Sequence, residues 1–159
     1  MTRQDTSLPI VGWREWLSLP DLGIQHIKVK VDTGARTSAL HAFYVEPIQH
    51  NGEEWVRFGI HPLQKNSEFV VECEKPVKDR RVVTDSGGHR ETRYVIETAL
   101  MLGEHRWRAE LTLTDRDSMK FRMLMGRTAL DGRFLVNPNA SYNIGHKPKK
   151  HRQKRPKRS

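Results

Sequence analysis

IKVKVDTGARTSALHA, residues 27–42, is the stretch on which the reading of the whole chain turns. Ile27, Val29 and Val31 are apolar while Lys28 and Lys30 are polar, with His26 polar just before them, which is the two-residue period of a half-buried strand. Asp32 therefore falls where a core strand ends. Gly34 permits a left-handed or closely approached backbone, and the small residues Ala35, Thr37, Ser38 and Ala39 predict a tight loop rather than a continued strand. A carboxylate held on so rigid an element can serve catalysis. Asp followed by Gly is also ordinary turn chemistry, so the tripeptide alone leaves both readings open.

The rest of the composition narrows the setting. With 159 residues, 36% of them hydrophobic, the chain has enough for one domain with a modest core and too little for two full lobes. A single cysteine, Cys73, excludes an internal disulfide framework and a Cys-rich zinc site. No signal-like or membrane-length apolar stretch stands out, so a reducing cytoplasm and no membrane are the expectation. The net charge of +9 is concentrated at one end: residues 146–159, HKPKKHRQKRPKRS, carry eight Lys and Arg and no acid. What remains is nearly neutral, with 20 basic against 19 acidic residues. Residues 146–159 read as a disordered polybasic tail suited to RNA, a ribosome surface or an acidic peptide, or simply as a solubilising arm.

The body reads as all-β. AFYVEPIQ and EEWVRFGI flank His50-Asn51-Gly52, a type I′ hairpin signal, and FVVECE follows. RRVVTD and ETRYVIETALML flank Ser86-Gly87-Gly88, a second hairpin tip. A Gly103-Glu104 turn leads to HRWRAELTLTD, FRMLM runs into Gly126-Arg127, and residues 127–132 predict a short helix.

Taken in order, an alternating strand into VDTGA, a Gly-Gly hairpin, a long strand, a short turn, another strand and MLM closing on Gly126-Arg127 resemble the retropepsin-like aspartic proteases. The resemblance covers roughly residues 8–138, with residues 42–76 as an inserted region. DTGARTSALHA together with LTDRDSMKFRMLMGRTAL is more closely similar to a bacterial branch of these endopeptidases often labelled ATP-dependent zinc proteases. Some members of that branch act on glutamate tails added to a small-subunit ribosomal protein by an ATP-grasp ligase. The resemblance implies an acid-protease barrel over residues 8–145, with residues 1–7 as a flexible start. It also implies a catalytic loop Asp32-Thr33-Gly34, in which Asp32 is the acid, Thr33 braces two paired loops and Gly34 admits substrate backbone. Ala35 and Arg36 beside that loop, Ser86, Gly87 and Gly88 at a flap tip, and Arg93, Arg116 and Arg127 nearby are the substrate-binding candidates.

The branch's label can be set against the residues. A zinc protease of the His-Glu-x-x-His type has no counterpart here, and neither does a glycine-rich loop ending in Gly-Lys-Ser/Thr for ATP. No metal and no cofactor are expected, with a metal-dependent peptidase kept as an alternative. The aspartic mechanism needs two adjacent carboxylates, of which one holds a proton while the other activates water. A chain this short supplies one such loop, which implies a homodimer with Asp32 from each subunit. A second similar tripeptide, Asp85-Ser86-Gly87, lies only 53 residues from Asp32, too few for a second lobe, and turn chemistry accounts for it.

Arg36 stands where viral retropepsins commonly carry an acid, and a guanidinium there can bind a substrate carboxylate in a bidentate fork. Arg127 is equally suited to a structural carboxylate. With the tail, these cations make an acidic or glutamylated protein tail the expected substrate. Trp13, Trp16, Trp55 and Trp107, scattered over separate segments, are expected to pack in the core or at an interface. The rival to a protease is a ribosome- or RNA-binding module with the same barrel and tail but no working acid pair.

Overall fold

The computed structural model describes residues 8–63, 69–84, 87–115 and 121–146. Its elements are strands β1 (Ile10–Val11), β2 (Arg14–Leu19), a single 3₁₀ turn (Pro20–Leu22), β3 (Ile24–Val31), β4 (Ser38–His41), β5 (Tyr44–His50), β6 (Glu53–Ile60), β7 (Val71–Pro76), β8 (Asp79–Thr84), β9 (Arg90–Leu102), β10 (His105–Thr114), β11 (Met123–Met125), helix α1 (Arg127–Leu130) and β12 (Leu135–Val136). The chain is nearly all-β, as its alternating segments predict. No helix among the described residues is long and apolar enough to cross a membrane.

Six strands close on themselves. The order β10-β4-β11-β3-β2-β9 returns to β10, with β8 appended to β9. The ring buries Leu17, Leu19, Ile27, Val29, Leu40, Ile96, Leu100, Leu111, Met123 and Met125. Each such side chain contributes roughly 1.5–3 kcal/mol by leaving water. Inside this ring β3 and β11 run parallel, and β4 lies antiparallel to β11 and parallel to β10. Three short strands of different chain origin thus meet where Asp32 emerges.

Residues 38 and 39 correct the sequence reading. Ser38 and Ala39 belong to β4 rather than to a loop, and every residue of that strand is buried. Their smallness reflects confinement between β10 and β11, not turn chemistry. The helix is also shorter than the expected span of 127–132, ending at Leu130.

The inserted region forms its own three-stranded sheet, β5-β6-β7. Its hairpin turns at Asn51 and Gly52, whose φ values of 51° and 82° are those of a type I′ turn. Val56, Phe58, Ile60 and Cys73 point from it into the same core as the barrel, so the insert is packed rather than pendant.

Two features escaped the sequence reading. Strand β2 alternates so that Glu15, Leu17 and Leu19 share the buried face. Beyond β12 the chain runs back along β2, where Trp13 N–H donates to Ala140 O at 2.8 Å, Tyr142 N–H to Arg14 O at 2.9 Å and Trp16 N–H to Gly145 O at 3.2 Å. This strap fills the side of β2 that β9 leaves open, since those two strands share only the Ser18–Met101 pair.

Candidate active site

Asp32 stands directly after β3, and its backbone is tied to the closing segment: Asp32 N–H donates to Met125 O at 2.9 Å. The preceding Val31 N–H donates to Trp13 O at 2.8 Å, so β2, β3 and β11 together fix where the residue begins. The side chain is half-buried, between a buried Val31 and an exposed Thr33. Gly34 N–H donates to Asp32 Oδ1 at 3.0 Å, and Ala35 N–H closes the turn on Asp32 O at 3.2 Å. That amide is the carboxylate's only hydrogen-bond donor among the described residues.

The loop is then fastened residue by residue to the segment after β11. Arg127 N–H donates to Ala35 O at 2.8 Å and Thr128 N–H to Arg36 O at 3.0 Å. Gly126 N–H donates to the buried Ser38 Oγ at 3.0 Å. A Cβ on Gly126 would lie 2.8 Å from Thr37 C and 2.9 Å from Ala35 O, both backbone atoms, so only glycine permits this approach. Arg127 completes the fastening, with Nη1 donating to Thr33 O at 3.0 Å. Its partner is a carbonyl and not the carboxylate considered from sequence.

Thr33, Arg36, Arg127 and Thr128 line a groove of about 710 Å³ whose other walls include Leu8, Leu130, Phe134 and Leu135. Among the described residues no carboxylate pairs with Arg36 or Arg127, although Asp131 lines the same groove. Four arginines of the insert and the β8–β9 hairpin are treated differently. Arg57 pairs with Glu74, Arg80 with Glu54, Arg81 with Asp79 and Glu110, and Arg93 with Glu91. Arg36 and Arg127 therefore carry positive charge on the Asp32 loop that no described carboxylate offsets.

The sequence candidates fall into three places. Asp32, Thr33, Gly34, Ala35, Arg36 and Arg127 converge on the fastened loop. Gly87 and Gly88 lie at the exposed end of the β8–β9 hairpin, where Gly88 has φ 85°. Arg93 sits lower on that hairpin, its side chain only 12% exposed and already paired with Glu91 at 2.8 Å. Ser86 and Arg116 lie outside the described residues, as do Asp85, residues 1–7 and residues 147–159 of the basic tail. Of the tryptophans, Trp107 is buried and the others are half-buried, Trp13 stacking edge-on against Phe121. Among the described residues no three His, Cys, Asp or Glu side chains are grouped as a metal would require.

Sequence signals for Glu15 were present but subtle. Its register with Leu17 and Leu19 places a carboxylate on a core face, and there it accepts from Gly12 N–H at 2.6 Å, Asn143 N–H at 3.0 Å, Ile144 N–H at 3.1 Å and Gly145 N–H at 2.7 Å. It is the anchor of the strap.

Comparison with known proteins agrees with the geometry. Residues 10–147 match the family model described as retropepsin-like aspartic endopeptidase RimB. A probable alpha-L-glutamate ligase of Desulfotalea psychrophila is 46% identical over 89% of this chain, and one of Parasynechococcus marenigrum is 51% identical over 86%. This chain spans only 31% and 29% of those two proteins. A crystal structure of a Legionella pneumophila protein of unknown function shares the fold at a TM-score of 0.71 and 24% identity, covering 86% of this chain and 98% of the other. The chain belongs to the RimB-like family of retropepsin-like aspartic endopeptidases.

Proposed function

We propose that this chain is an aspartic endopeptidase working as a homodimer, with one Asp32 from each subunit, on an acidic, glutamate-rich protein tail. The observation that carries the reading is the contrast inside one loop: the backbone is tied at Asp32, Thr33, Ala35 and Arg36 and the Ser38 hydroxyl is tied to Gly126, while the Asp32 carboxylate accepts a single hydrogen bond among the described residues. Rigid placement with unused lone pairs is what a group that must handle water and a proton requires.

Two such carboxylates brought together across a two-fold axis cannot both ionise cheaply, so they share one proton. The ionised member takes a proton from water as it attacks the peptide carbonyl, and the protonated member donates a hydrogen bond to the developing oxyanion. The proton then passes to the leaving amine. In this reading Thr33, exposed beside Asp32, braces the opposing loop. A second copy also has a surface to cover. Ile10 and Leu135, paired across β1 and β12, are 43% and 52% exposed and adjoin the apolar groove next to Thr33.

Specificity for acid rests on Arg36 and Arg127, the guanidiniums near Asp32 that no described carboxylate neutralises. The names of the ligase relatives point the same way, since a glutamate-joining protein that carries a similar segment implies a glutamate-bearing partner chemistry. The eight cations of residues 147–159 supply longer-range attraction for such a tail or for a ribosome bearing it, and a cytoplasmic setting fits both. Sedimentation and peptide cleavage test the proposal together: a dimer that cuts glutamate-rich peptides, and an Asp32→Asn dimer that does not, are expected. A monomer with full activity would overturn it.

A further inference from the structure

Besides its single pair with β2, strand β9 belongs to two long ladders. Its residues pair with β10 from Leu102 down to Val95, opposite Thr112, and with β8 from Val95, opposite Asp79, out to Arg90. Val95 is fully buried and accepts from Lys78 N–H at 2.8 Å, which makes it the point where the β8–β9 hairpin leaves the barrel. Residues 87–92 beyond it are all exposed.

One pair past that point, Arg80 faces Tyr94 across the hairpin, its guanidinium 5.6 Å from the ring centroid. The same guanidinium pairs with Glu54 of the inserted strand β6. Glu54 also receives Val77 N–H on its backbone oxygen at 3.1 Å. Strand β6 is itself immobilised, because Val56, Phe58 and Ile60 are fully buried. On the neighbouring residue Arg81 reaches Glu110 of β10 at 2.7 Å. Between insert, barrel and hairpin lies a cavity of about 320 Å³ lined by Val45, Thr92, Tyr94, Leu113 and Asp115. Packing there leaves the hairpin room to tilt, so the ion pairs set its angle.

We propose that Glu54 is a positioning residue: through Arg80 and Tyr94 it makes the inserted sheet the strut that fixes how the β8–β9 hairpin stands over the Asp32 loop. This rests on reading the hairpin as the flap of the proposed peptidase. Arg80 and Glu54 side chains are 55% and 30% exposed, and such pairs add little to global stability, so their effect is on hairpin geometry.

The test uses the full chain with Glu54→Gln, Arg80→Gln and the swapped pair Glu54→Arg with Arg80→Glu. Hydrogen exchange of residues 79–84 and 87–94 is compared with that of β3 and β11, alongside KM and kcat on a glutamate-rich peptide. The single variants are expected to speed exchange in the hairpin about fivefold with the barrel unchanged. KM should rise about threefold at near-constant kcat, and the swapped pair should restore both. Unchanged hairpin exchange in the singles, or a swapped pair as loose as they are, overturns the strut. Exchange decides this without turnover, so a failure of the peptidase reading, seen as no cleavage by any variant or by the unaltered chain, is recorded separately.

Discussion

Two carboxylates on neighbouring strands, Glu15 of β2 and Asp32 at the end of β3, are treated in opposite ways by the same barrel. Glu15 is fully buried and accepts four backbone N–H groups, from Gly12, Asn143, Ile144 and Gly145. Asp32 is half-buried, and among the described residues its side chain receives one N–H, from its own turn. The difference separates structure from chemistry. Glu15 has spent its lone pairs on holding the strap, so it has none for a ligand; Asp32 is held by its backbone, so its oxygens stay available for water, a proton or a second carboxylate.

The comparison is broken most forcefully at Glu15. Glu15→Gln presents an amide donor to N–H groups that need an acceptor, and unfolding in urea should show a loss of about 3 kcal/mol or more. Asp32→Asn should shift the same midpoint by no more than about 0.5 kcal/mol, since it disturbs one exposed turn contact. Equal losses would mean that Asp32 is structural too.

Next in size is Gly126→Ala. The added Cβ meets backbone of residues 35 and 37 rather than a mobile side chain, so relief requires moving the Asp32 loop. A loss of about 1–3 kcal/mol is expected from the crowding, with peptidase activity falling alongside. Ser38→Ala sharpens the point on a smaller scale. It leaves Gly126 N–H buried without its acceptor and should cost about 1 kcal/mol in the same denaturation experiment.

The smallest effect concerns an intermediate case, Glu72, which receives the Tyr44 hydroxyl. Desolvation and then this hydrogen bond push the Tyr44 phenol up from its ordinary 10.0 to about 12. A raised acid pKa in the folded state means that the stabilisation is whole below pH 10 and is lost as pH climbs toward 12. Titration of tyrosinate absorbance should place Tyr44 late, and Glu72→Gln should bring it back toward pH 10; an unchanged titration would deny the contact.

Local signals made much of this molecule readable in advance. The alternation up to Val31, the Asn51-Gly52 turn and the MLMGR segment each carry their structure within a few residues, and they delivered the all-β class, the Asn51-Gly52 hairpin and the loop around Asp32, while the barrel and the inserted region followed from the family resemblance that their order carries. Glu15 was missed because its meaning depends on residues 143–145, far away in sequence. Ser38 and Ala39 were read as loop because smallness has two causes, turning and crowding, and only the packing of β4 between β10 and β11 tells them apart. Arg93 was taken with Arg36 as a cation for substrate, yet Glu91 two residues away on the same strand neutralises it. No composition count distinguishes a paired arginine from an unpaired one.

The central claim, that Asp32 acts as half of a pair shared between two chains, is tested most directly by mixing. Wild-type chain and Asp32→Asn chain are combined in equal amounts at constant total concentration, allowed to exchange subunits, and assayed on a glutamate-rich peptide. If each active centre needs two Asp32 residues, only wild-type pairs cut, and the rate should fall to about a quarter of that of the pure wild type. A rate of about half would mean that each chain carries a complete centre of its own, and would contradict the account.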